Sequence, residues 1–155
     1  MGDKADGIDF SAMDAYMKHV LRVVEREGGL ISRVFPFEAD VLVYFTERIA
    51  NDVISDYITS LLSAAQALQH PLFLLATAAT FGQVYRLVDA VLEIEPKSPL
   101  VTKERVEDVV FKMFEPLMDD YLQEETDWIR EVLEGVCAEW DEKVRSGPPP
   151  HPASH

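Results

Sequence analysis

Five prolines fix where regular structure can run in this chain: Pro36, Pro71, Pro96, Pro99 and Pro116. Proline has no amide donor and disfavours the α conformation in the residue before it, so a helix ends or bends where one stands. The pair in Pro96-Lys97-Ser98-Pro99 is the clearest break. Between the prolines, apolar residues recur at helical spacing, and no run of alternating residues has the length of a strand. The pattern predicts an all-α chain: an antiparallel bundle of four to five long helices.

Ser11 with Asp14 three residues on resembles a capping box and opens the first helix. Met13, Met17, Val20, Leu21 and Val24 form its buried face, and Gly28-Gly29 is expected to stop it. Leu30 to Pro36 should then be an extended, packed link. A second helix is expected over 38–69, with Val41, Phe45, Ile49, Asp52 and Val53, then Tyr57, Leu61, Leu62, Ala65 and Leu68, along one stripe and Leu42, Ile54 and Ile58 beside it. His70-Pro71 separates it from a third, running from Leu72 to about Ile94, with Phe73, Thr77, Phe81, Val84, Val88, Val91 and Leu92 inward. Thr102 can cap a fourth helix reaching Arg145, which Pro116 should kink or split. The division is a flexible leader at 1–10, a helical bundle at 11–145 and a disordered proline-rich tail at 146–155.

Hydrophobic residues make up 48% of the 155, enough for a core. Acids outnumber bases 28 to 14, so the net charge is −14, which argues against nucleic-acid binding and against docking to anionic lipid through a basic patch. A single cysteine, Cys137, excludes an internal disulfide and a Cys-based zinc site. No signal peptide, myristoylation pattern or apolar run of bilayer length is present, which points to the cytoplasm.

An enzyme needs a nucleophile with its base, a metal cluster or a phosphate loop. His19, His70, His151 and His155 lie on separate segments, and no Walker, dinucleotide or His-Glu-x-x-His pattern occurs. Glu115, Asp119, Asp120, Glu124, Glu125 and Asp127 form a dense acidic stretch, but no histidine is near them in the sequence. They are expected on a solvated face, with no metal, cofactor or catalytic residue. Trp128 and Trp140 share one flank of the last helix and are expected in the core, an interface being the alternative. From Thr102 to Arg145 there are 14 acids against 6 bases, a balance suited to a basic protein partner. Composition and spacing alone assign no function.

Residues 33–62 carry a recognisable pattern. Phe35-Pro36 forms a corner, Glu47-Arg48 follows in the next helix, and Val53-Ile54-Ser55-Asp56-Tyr57-Ile58 completes the run. Phe111, Phe114, Met118, Tyr121, Leu122 and Glu125 extend it. The chain resembles the Sec10-like exocyst component family over residues 12–144, and most of all its fungal recyclin branch, F-box proteins with a Sec10-like body. Met13-Asp14-x-x-Met17 and Arg33-Val34-Phe35-Pro36 suit that branch.

The resemblance implies a piece of a helical tethering rod. Its role would be non-catalytic, bringing vesicles to a target membrane in exocytosis or endocytic recycling, with attachment to vesicle or plasma membranes through partners. Exocyst-type subunits and trafficking GTPases are the implied partners, with ubiquitin-ligase components reached through regions outside this chain. There is no room for an F-box before Ser11, so an excised piece or a truncated relative is expected. Candidate interaction residues are Phe35, Pro36, Glu47, Arg48, Tyr57, Trp128 and Trp140. The alternatives are the cargo-holding part of an F-box ubiquitin-ligase receptor and an all-helical ligand-binding domain.

Overall fold

The structure, a computed structural model, describes residues 4–5, 8–68 and 70–148. It is an all-α bundle. Helix α1 spans Phe10–Val34, α2 Val41–Arg48, α3 Ser55–Gln66, α4 His70–Leu92 and α5 Lys103–Ser146. A π-helical stretch, Ile49–Ile54, joins α2 to α3 without interruption, so the bundle has four rods. Before α1, β1 (Lys4–Ala5) pairs antiparallel with β2 (Ile8–Asp9), so the leader expected to be flexible contains a minimal ladder. Most of the proline-rich tail, residues 149–155, lies outside the described residues.

The core draws on every rod. Met13, Met17 and Val24 come from α1, and Ile54, Ile58 and Leu62 from the second rod. Phe73, Val84, Leu87, Val88 and Val91 come from α4, and Val106, Val110 and Phe114 from α5. Phe81 of α4 sets its ring edge-on to Phe114 at 5.2 Å and parallel to Phe111 at 6.1 Å, geometries that favour aromatic pairs beyond area burial alone. Helix α4 is central, packed on α1, α3 and α5. By length and composition it is apolar enough to cross a bilayer, and its apolar character is accounted for by those three neighbours.

Several expectations change. Gly28-Gly29 does not stop α1, which continues one and a half turns further to Val34. A Cβ on Gly28 would lie 2.4 Å from Ile94 Cδ1 and 3.3 Å from Leu42 Cδ1, so this glycine brings α1 close to its neighbours. The link after it is helical rather than extended, and Val34 and Phe35 are exposed rather than packed. The second rod starts later, because Phe37–Ala39 is a 3-10 turn and Asp40 takes a left-handed conformation, φ 55°. It ends at Gln66, leaving Leu68 exposed. Its inward face is Leu42, Val43, Thr46, Ala50, Ile54, Ile58, Leu62 and Ala65: as far as Ile58 the step of four runs one residue on from the expected stripe, while Leu62 and Ala65 are buried as expected. A strict step of four overshoots a 3.6-residue turn by about 40° each time. The wider π turn at 49–54 takes up that drift and keeps the face inward.

The break at Pro96–Pro99 and the cap at Thr102 hold: Thr102 Oγ1 accepts from the Arg105 amide at 3.3 Å. Pro116 does not split α5. It sits on the exposed side, where water can satisfy the carbonyl its missing amide leaves unpaired.

Candidate interaction surface

Four of the candidate residues separate into two pairs at opposite ends of the bundle, Phe35 with Pro36 and Trp128 with Trp140, and the other three lie along the second rod. At the first end α1 closes, α2 opens and the 93–102 loop turns into α5. Phe35 and Pro36 lie there, half-exposed and exposed, on a shallow depression completed by Ser32, Asp40, Ser98 and Val101. Two contacts fix this corner. Ser32 Oγ donates to the Pro96 carbonyl at 2.6 Å, tying α1 to the loop. Arg105 forks onto Asp40, with Nη1 to Oδ1 at 2.9 Å, Nη2 to Oδ2, and a further bond to the Leu100 carbonyl at 2.7 Å. The Asp40 hydrogen bond raises the Arg105 pKa, so this guanidinium is a fixed charge.

Glu47, Arg48 and Tyr57 do not form one site. Arg48 faces outward and pairs with Asp52 at 2.7 Å. Glu47 is half-buried, close enough to act on Arg105 and Lys112. Tyr57 stacks on Tyr16 of α1 with centroids 4.1 Å apart and planes 9° from parallel. The Tyr16 hydroxyl donates to the Val53 carbonyl at 2.9 Å, and burial raises its pKa. Tyr57 therefore clamps α1 to α3 through its ring, while the Tyr16 hydroxyl ties α1 to the π segment.

The second group departs most from expectation. Trp128 and Trp140 are not core: they are 38% and 66% exposed. Beyond Asp127 every described residue of α5 is exposed, because the other rods end there. The level at which they end is marked by three polar contacts. Gln66 Nε2 donates to Glu124 Oε1 at 3.0 Å, the His70 imidazole bonds Glu124 Oε2 through Nδ1, and His70 Nε2 lies 3.6 Å from Glu131. The Glu124 hydrogen bond holds the His70 pKa above its usual value, and the Gln66 and His70 bonds hold that of Glu124 below. This joint was not legible in the sequence, where His70 and Glu124 stand 54 positions apart.

Past the joint α5 projects alone among the described residues, with Ile129, Leu133, Val136 and Trp140 exposed, and Leu122, half a turn before the joint, is exposed as well. Leu122, Ile129 and Val136 recur every seven residues, as do Thr126, Leu133 and Trp140, and the two sets alternate at steps of four and three. That is the seam of a helix built to pack along another helix. In the acidic stretch, Glu115, Asp119 and Asp120 are exposed, as expected, while Glu124, in the joint, and Glu125 and Asp127 beside it are half-buried. Among the described residues no group of three or more His, Cys, Asp or Glu side chains is placed to hold a metal ion. The arrangement offers contact surface rather than convergent reactive groups.

The family model for the exocyst complex component Sec10-like, alpha-helical bundle, matches residues 6–151. No curated protein and no solved structure matches the chain.

Proposed function

Because this chain belongs to the Sec10-like exocyst family, we propose that it is a non-catalytic protein-interaction module of a vesicle-tethering protein, acting in exocytosis and endocytic recycling. Its partners are other tether subunits and trafficking GTPases, which hold it at vesicle or plasma membranes from the cytoplasmic side. Within the family we place it beside the recyclin branch, on Met13-Asp14, Met17 and the Arg33–Pro36 corner. The observation that carries the reading is the match over 6–151 together with an apolar helical seam left exposed among the described residues. Stiff rods and an uncovered seam suit work by side-on contact between helices.

The test is a pull-down of the tagged chain from the cytosol of its own organism, read by mass spectrometry beside an acidic control protein of equal charge. Exocyst subunits or trafficking GTPases recovered above control are the expected result. Recovery equal to control, from a chain shown to be folded by circular dichroism, contradicts the tether reading. An F-box component in the same eluate would favour the ubiquitin-ligase receptor role instead.

A further inference from the structure

The seam on α5 has a selective flank as well as an apolar centre. Between Asp119 and Glu142 there are ten carboxylates and one basic residue, Arg130. Arg130 is taken up by Asp127 at 3.3 Å. Among the described residues Glu125, Glu134, Glu139, Asp141 and Glu142 have no ion-pair partner. Glu125 and Glu139 border the seam directly, at the positions where paired helices exchange charges across their contact. The uncovered stretch from Leu122 to Trp140 is about 27 Å long at 1.5 Å per residue, and contiguous apolar surface of this kind marks an interaction site.

From this geometry we infer that the projecting half of α5, with Leu122, Ile129, Leu133, Val136 and Trp140 as its seam, docks a partner's amphipathic helix of about 18–20 residues whose apolar stripe is flanked by lysine and arginine. Charge decides the occupant. A second copy of this chain would lay its own ten carboxylates alongside these ten, a juxtaposition that opposes pairing. A basic-flanked helix meets them with opposite charge, steering the encounter and setting register, while the seam supplies the buried area. The inference rests on the reading above that this chain works by protein contact, and it names the chemistry of the contact.

The chain carries its own reporter, since its two tryptophans, Trp128 and Trp140, both stand on this half of α5. The full chain is titrated with a synthetic helical peptide of leucine seam and Lys/Arg flanks. The control is the same peptide with Glu flanks. A saturable blue shift of tryptophan emission with the basic peptide alone is expected, weakened by added salt. Leu133→Glu, at a 58% exposed position, should weaken binding about tenfold or more with unchanged far-ultraviolet circular dichroism. No shift with the basic peptide overturns the inference, as does an equal response to both peptides. Emission that is already blue-shifted in a chain sedimenting as a dimer overturns it in favour of a second copy. Peptide binding without exocyst subunits in the pull-down supports the seam while contradicting the tether reading alone.

Discussion

The two halves of α5 have the same kind of sequence and opposite surroundings. From Lys103 to Phe114 the helix buries Val106, Val109, Val110, Met113 and Phe114 against α4 and the second rod. From Trp128 to Trp140 it carries Trp128, Ile129, Val132, Leu133, Val136 and Trp140, all exposed. Periodicity is present in both halves, so a stripe at helical spacing records that a face is to be covered, without saying by what. In the first half the cover is intramolecular. In the second, α4 begins only at His70, level with Glu124, and among the described residues the furthest contact along α5 is that of the His70 ring with Glu131.

The sharpest way to break the comparison is to remove one apolar side chain from each half and measure stability. Phe114 is 2% exposed and ringed by Phe81. Phe114→Ala should cost about 3–5 kcal/mol in denaturant unfolding. A loss under about 1 kcal/mol would mean that this half is not the anchored one. Next comes the start of the helix: Thr102→Ala removes the bond to the Arg105 amide and should cost roughly 1 kcal/mol, whereas Thr102→Asp should keep it.

The boundary between the halves should respond to pH. His70 has a folded pKa above 6.5, raised by its hydrogen bond to Glu124. Its contribution is therefore fully present below 6.5 and is lost as pH rises through the raised value. Glu124 has a folded pKa below 4.5, so its share is present above 4.5 and fades as acid takes pH through the lowered value. The Tm difference between the native chain and His70→Ala should thus be largest between about pH 5 and 6.5 and shrink at higher pH. A pH-independent difference would remove the joint from the account. The smallest effect is expected beyond it: Leu133→Glu and Trp140→Ala should each change stability by no more than about 0.5 kcal/mol.

Much of the bundle was legible in the sequence, for identifiable reasons. The break at Pro96–Pro99, the cap at Thr102 and the buried faces of α1 and α4 follow from chemistry local to each segment. What failed depended on neighbours. Gly28 looks like a helix stop until Ile94 and Leu42 are seen pressing on it. Leu62 and Ala65 of the second rod are buried as expected, but as far as Ile58 its inward face lies one residue on from the expected stripe, because the repeat of four from Leu42 needs a π turn, which a 3.6-residue template hides. Its signal was the unbroken step of four itself. Trp128 and Trp140 were expected inside because large apolar residues are buried on average. Only the length of the other rods reveals that both tryptophans stand exposed among the described residues. Of the candidate residues, Phe35 and Pro36 share one corner, Tyr57 serves as a clamp, and Glu47 and Arg48 face different neighbours. The joint of Gln66, His70, Glu124 and Glu131 escaped notice because its members are distant in the chain.

Amide hydrogen exchange along α5, in the chain alone and again with the basic-flanked helix bound, tests the central claim most directly. The account predicts slow exchange from Val106 to Phe114, a step near Glu124, and fast exchange from Ile129 to Val144 that slows when the peptide binds. Protection spread evenly along α5 in the chain alone, or distal amides indifferent to the peptide, would contradict it.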